Sequence, residues 1–261
     1  MNIPIDEVAI FSFFFVLVRV SSIVAFFPFF GEDSIPIQVK VLFSLVLAAI
    51  FFPMIGQFNT TFIQSTMNSP IKMMFAVVME ISLGLAIGFI ARLSFDAVLT
   101  AAHFIAAQMG LTVASFFDPS QHANGGNIQK LFYVIAMLLF LSFNGHYILL
   151  SVIEETFHKI PPGSLNFSGR FTEILIVGVR SMFIWAIKLS APVMLVTMIM
   201  NAGMGLVARA VPQMNVMMVA FSVNILVGLV VLFVSLPFLR EGFETITNQV
   251  GDALFSAVSV L

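Results

Sequence analysis

Asp96 and His103 stand seven residues apart, about two helical turns, within a long apolar stretch. A carboxylate and an imidazole that share a helix face can pass a proton between them. Glu80 lies one stretch earlier, and a carboxylate in apolar surroundings is costly enough to require a partner helix, a polar cavity or a pore. Ion or proton movement would have to be built from these three side chains. Nothing extends Asp96 and His103 into a relay across a membrane, so polar contact at a helix interface is the simpler reading of that pair. The four histidines, His103, His122, His146 and His158, form no i,i+4 pair and no HExxH. No carboxylate cluster has chelating spacing, so no metal is expected. There is no Walker sequence, no GxSxG and no pair of catalytic aspartates, so neither enzymatic turnover nor a cofactor is expected.

The elements that carry these residues are apolar almost throughout. Hydrophobic residues make up 60% of the chain, charged residues only 9%, and the mean hydropathy is +1.08. A soluble domain carries about 25% charged residues. Thirty-one Phe and sixteen Met cannot all be hidden in one small water-facing domain, so the surroundings must be lipid, partner proteins or both. Apolar runs cover roughly 8–30, 39–56, 71–91, 93–116, 131–153, 174–200 and 216–238. They are continuous rather than alternating, which argues for helices, the form in which a chain in lipid satisfies its own backbone. The expectation is an all-α integral membrane protein with about six to seven hydrophobic helices, in one domain over residues 1–261.

Several details stay open at this level. The 39–56 run is short for a span. Only Arg92 separates 71–91 from 93–116, which leaves one long helix, a tight hairpin or two spans. If all seven runs crossed, one side would collect Lys72, Lys130 and Arg209 and the other Lys40, Arg92, Lys159, Arg170 and Arg240. That balance fixes no orientation, and it points to some runs facing protein neighbours instead of lipid. The net charge of -2 offers nothing to nucleic acid, and the absence of Cys excludes disulfides and thiolate metal sites. No basic region precedes the first run, so no cleaved signal peptide is expected.

Punctuation and packing signals lie between and within the runs. Pro28, Pro192 and Pro237 fall in or at the ends of apolar runs and are expected to kink or stop helices. Glu80, Gly84 and Gly88 are spaced four apart, on one helix face, and the two glycines form a GxxxG that admits a close helix neighbour. Seven Met fall between Met194 and Met218, a soft packing surface. The most unusual segment runs from Gln108 to Pro119. Gly110 can relax the helix, Asp118-Pro119 terminates it, and Leu111, Thr112, Val113, Ala114, Ser115, Phe116 and Phe117 between them are small or apolar. Such a segment cannot lie bare in lipid, so it is buried in protein or lines a cavity. An apolar constriction that excludes water is one option for it, and a helix end packed on a neighbour is the simpler one.

In order and spacing, these pieces resemble one family along nearly the whole chain. They are Arg19 and Pro28, then Ser34 to Lys40, then Glu80-x-x-x-Gly84-x-x-x-Gly88, then Gln108-Met109-Gly110-Leu111 through Phe117-Asp118-Pro119. Leu141 to His146, Thr156 to Pro161, and Arg209-Ala210-Val211-Pro212-Gln213-Met214-Asn215-Val216 follow. The chain resembles the FliR family, subunits of the flagellar type III protein export gate, with counterparts in virulence injectisomes. The Phe143-Asn144-Gly145-His146 stretch is closer to the flagellar branch. Two departures stand out: Ser222 occupies a position where the family usually has a proline, so a straighter helix is expected there, and Asn124-Gly125-Gly126 is looser than the family's loop.

The resemblance implies bent helical hairpins built into a larger helical hetero-oligomer with FliP and FliQ, and with FlhB and FlhA nearby. It implies a place in the bacterial inner membrane at the flagellar basal body, and unfolded flagellar proteins as export substrates. It makes residues Gly110 to Pro119 a pore plug, in which Leu111, Val113, Phe116 and Phe117 seal by apolar contact. It gives Glu80, Gly84, Gly88, Arg19, Arg209, Pro212, Gln213 and Asn215 to packing within that assembly. The alternatives are a virulence-system gate subunit, a proton-coupled transporter using Glu80, Asp96 and His103, and an intramembrane enzyme, for which no catalytic constellation exists.

Overall fold

The computed structural model describes residues 7–27, 35–55, 60–111, 124–165, 167–210 and 216–261. Among the described residues there are eight helices and no strand. They are α1 (Glu7–Phe26), α2 (Ile37–Ile55), α3 (Thr60–Met67), α4 (Pro70–Gln108), α5 (Asn124–Ser142), α6 (Gly145–Lys159), α7 (Gly169–Ala210) and α8 (Val216–Val258). The protein is an all-α integral membrane protein. Five helices are long and apolar enough to cross a bilayer, namely α1, α2, α4, α7 and α8, and α5 with α6 would make a sixth if they count as one broken span.

The two runs on either side of Arg92 are one helix, α4, of 39 residues. Arg92 is exposed, and arginine is a good helix former, so a single charge does not interrupt the ladder. Pro70 occupies the first helical position of α4, where its missing N–H costs nothing, and the carbonyl of Ser69 accepts the N–H of Met73 at 3.1 Å. The expected effect of Pro192 and Pro237 as helix stops is not seen: α7 and α8 run on through them for 42 and 43 residues. Ser222 likewise sits inside an uninterrupted α8. Conversely, the apolar run 131–153 is not one helix. Asn144 adopts the left-handed conformation, φ 58 and ψ 27, and separates α5 from α6. Asparagine is one of the few residues that tolerate this region.

Several hydroxyl side chains inside the apolar helices are satisfied locally. Ser12, Ser44, Thr66, Ser82, Ser190, Thr197 and Thr247 each donate to the carbonyl four residues earlier, at 2.7–2.9 Å. This back-bonding removes the need for a water partner.

The chain divides into two compact units. The first comprises Met1–Leu93, Asn144–Gly178 and Gln249–Leu261. In it α1 packs on α2 and α3, and α2 packs on α6. Its core includes Phe15, Ile23, Ile63, Leu83, Ile87 and Ile153, with Phe51 against Phe157. Ser168 caps α7 by accepting the N–H of Phe171 at 3.2 Å on its hydroxyl. The second unit comprises Ser94–Phe143 and Val179–Asn248. Its centre is Phe95, whose ring meets Phe140 at 5.4 Å, Phe243 edge-on at 5.9 Å and Tyr133 at 6.3 Å. Ala97, Ala101, Ala102 and Ala106 of α4 are fully buried there.

Large apolar side chains remain exposed along α2, the first half of α4, α7 and α8, with Leu42 at 64%, Phe75 at 61% and Phe233 at 74%. Exposure on this scale defines faces that contact lipid or other proteins.

Candidate functional site

The strongest polar feature is buried in the first unit. Arg19 of α1 and Glu80 of α4 are 1% and 2% exposed. Arg19 Nε donates to Glu80 Oε2 at 2.5 Å and Nη2 donates to Oε1 at 3.0 Å, a bidentate pair. Arg19 Nη1 donates to the carbonyls of Thr156 and Ile160, at 2.8 and 2.9 Å. These carbonyls lie at the C-terminal end of α6, where a helix leaves acceptors unpaired and favours a cation. The guanidinium also stands 4.6 Å from the centroid of the Phe157 ring.

The other side of the carboxylate is held by a turn. Ser164 N–H donates to Pro161 O at 3.2 Å, with Pro162 and Gly163 as the central residues. Gly163 has φ +75, so the pattern fits a type II turn, with proline first and glycine second. The Gly163 N–H donates to Glu80 Oε1 at 3.3 Å. A side chain at 163 would also run into the Phe62 ring, whose Cε2 would lie 2.7 Å from an added Cβ. One arginine and one glutamate therefore join α1, α4, the end of α6 and the Pro-Pro-Gly turn. Their charges are consumed by this network, which is what makes a buried ion pair tolerable.

Gly84 and Gly88 continue the same face of α4 and are buried. A Cβ on Gly84 would overlap the Ser22 hydroxyl, and one on Gly88 would lie 2.5 Å from Phe26 Cβ. Ser22 Oγ donates to Arg19 O at 2.9 Å and reaches Glu80 O at 3.4 Å. The helix that this GxxxG face admits is thus the chain's own α1. Sequence reasoning gave the face to neighbouring subunits. The missing information was tertiary: the GxxxG pattern says that a helix comes close, not whose helix it is.

The second candidate feature is the end of α4 in the second unit. Leu111 N–H donates to Ala106 O and Gly110 N–H to Ala107 O, each at 3.0 Å. This pair of bonds with a left-handed glycine, φ +79, is a Schellman motif. α4 ends at Gln108, beside the glycine where it was expected to relax and before the stop expected at Asp118-Pro119. Gly110 and Leu111 are described; Thr112, Val113, Ala114, Ser115, Phe116, Phe117, Asp118 and Pro119 lie outside the described residues, as do Pro212, Gln213 and Asn215.

Arg209 is exposed in the last turn of α7. His103 Nδ1 meets Gln129 Nε2 at 2.9 Å. No group of three potential metal-ligating side chains occurs among the described residues. Sequence reasoning did not find the partners of Arg19. Thr156 and Pro161-Pro162-Gly163 were visible as a block and a turn, but nothing tied them to a residue 137 positions earlier.

Long apolar helices, a buried Arg19–Glu80 ion pair and a glycine-capped helix end characterise this membrane chain among its described residues. Residues 10–250 match the family described as bacterial export proteins, family 1, and the chain belongs to that family. It is similar to the flagellar biosynthetic protein FliR of Escherichia coli strain K12, 29% identical over 254 residues, with 95% of this chain and 93% of that one covered. It is 32% identical over 232 residues to the FliR of Bacillus subtilis strain 168, with 85% of each chain covered. It is 28% identical over 234 residues to that of Aquifex aeolicus strain VF5, with 90% and 87% covered.

Proposed function

We propose that this chain is a structural and gating subunit of the flagellar type III protein export apparatus, in the bacterial inner membrane at the basal body. The observation that carries the reading is the near full-length similarity to FliR proteins from distant bacteria. In this reading the chain joins FliP and FliQ around the export pore, with FlhB and FlhA alongside, and unfolded flagellar proteins pass through. The exposed apolar faces of α2, α4, α7 and α8 supply surface for such an assembly. The segment from Gly110 to Pro119 plugs the resting pore, and the abrupt Schellman end of α4 supports a deliberate exit of the chain at that point. Arg209, Pro212, Gln213 and Asn215 serve subunit packing.

A proton-coupled transporter gains no support from the polar groups. Both oxygens of Glu80 accept hydrogen bonds from Arg19, and His103 pairs with Gln129. Co-purification tests the assembly reading. FliP-like and FliQ-like subunits are expected to purify with this chain, and Arg209→Ala is expected to lower their yield several-fold while the chain itself stays in the membrane. Normal recovery of both partners with Arg209→Ala would remove Arg209 from the interface, and recovery of neither with the unchanged chain would contradict the assembly.

A further inference from the structure

The end of α4 is not free-standing. Its capping residue Gly110 lies under the ring of Phe221 of α8: a Cβ on Gly110 would stand 2.5 Å from Phe221 Cε1, 3.0 Å from Cδ1 and 3.3 Å from Cζ. The residue before it, Met109, is fully buried and lies across Gly228 of the same helix, where an added Cβ would stand 2.6 Å from Met109 Cγ. Phe221 and Gly228 are seven residues apart, two turns along one face of α8. The ring fills the space above Gly110, and the missing side chain of Gly228 makes room for Met109. The last turn of α4 is therefore seated on α8 at two points, one large residue over a glycine and one glycine under a large residue. Neither residue of α8 belongs to the segment after Gly110.

We infer that Phe221 is a positioning residue for the end of α4: its ring holds the left-handed cap closed and so sets where the chain leaves the helix at Leu111. This rests on the proposed gate reading only for its consequence, that loosening α8 unseats the plug. The contact is a geometric statement about this chain and can be tested by itself. A left-handed cap stabilised only by its two backbone bonds would open readily, because helix ends fray and the bonds are local. A ring packed on the glycine adds a non-local contact that must be broken before the cap can unwind.

The chain has no cysteine, so a single Leu111→Cys gives a clean thiol at the first residue beyond the cap. The experiment measures its labelling rate in membranes that hold the whole export assembly, with Phe221 intact, Phe221→Ala and Phe221→Tyr. Removing the ring is expected to raise the labelling rate at least about tenfold, as local opening becomes easier, and Phe221→Tyr is expected to stay within about twofold. Because Phe221→Ala could disturb folding generally, a thiol placed instead at the fully buried Ser190 of α7 serves as the control and should label at an unchanged rate. A size cycle completes the test: Gly110→Ala should raise Leu111→Cys labelling, and Phe221→Leu should offset part of that rise by making room for the new methyl group. Unchanged labelling in Phe221→Ala, or strictly multiplicative effects in the cycle, would overturn the inference. If the labelling changes as expected yet deletion of 111–117 causes no ion leakage, the contact stands and the plug reading fails. If that deletion leaks while Phe221→Ala does not change labelling, the plug stands and this inference fails.

Discussion

The two units solve the burial of polar and apolar groups in different ways. The first gathers its polar atoms into one node, in which Arg19 serves Glu80 and the end of α6, and the Gly163 N–H completes the carboxylate. The second is packed by shape, with Phe140, Phe243 and Tyr133 around Phe95, Met109 over Gly228 and Leu189 over Gly242. Its buried amide, Asn224, donates to Asn201 at 2.7 Å but leaves Oδ1 without a partner. A satisfied charge network fixes one arrangement, because each member leaves the others stranded if it moves. Apolar packing of small against large residues tolerates adjustment. The first unit is thus built to stay fixed, and the second to tolerate repacking at the helix end where the candidate plug begins.

The largest effect should come from breaking the node on one side only. Arg19→Ala strands a carboxylate that is 2% exposed and strips the end of α6 of its cap, at a cost of about 3–5 kcal/mol. Thermal denaturation in detergent should show a large loss of stability, and Arg19→Lys should not restore it, since lysine cannot reproduce the bidentate fork. The double change Arg19→Met with Glu80→Met should recover much of the loss. A double variant no better than Arg19→Ala would mean that shape, not charge, holds this unit.

A conservative trim at the centre of the second unit should cost less. Phe95→Leu keeps an apolar side chain among Phe140, Phe243 and Tyr133, and about 1.5 kcal/mol is expected from the same melting experiment. A loss as large as that of Arg19→Lys would erase the contrast between the units. The smallest effect belongs to Asn224→Leu. It removes the hydrogen bond to Asn201, worth about 0.5–1.5 kcal/mol, together with the unpaired buried oxygen, whose burial costs about as much. Stability should stay within about 1 kcal/mol of the unchanged chain. A strong destabilisation would show that the amide pair orders α7 and α8.

How much of this was legible in the sequence follows from the range of each interaction. Gly110 could be read as a point where the helix relaxes, because a glycine cap is local, but the helix stop was expected at Asp118-Pro119, whereas α4 already ends at Gln108. The common face of Glu80, Gly84 and Gly88 could be read because helical periodicity is local too. That the partner is α1, and that Glu80 pairs with Arg19 across 61 residues, depends on tertiary folding that no spacing encodes. The break at Asn144 was hidden by apolar residues on both sides, since composition does not report a single left-handed residue. Pro192 and Pro237 do not stop their helices, because a long helix absorbs one missing N–H.

The central claim is that the segment after Gly110 seals an export pore. Its most direct test is ion leakage in cells that carry the whole gate with residues 111–117 deleted, after the complex is shown to assemble. Growth and membrane potential are compared with the intact gate. Loss of membrane potential with an assembled complex is the predicted result. An intact potential with the same complex assembled would contradict it and place the seal outside this segment.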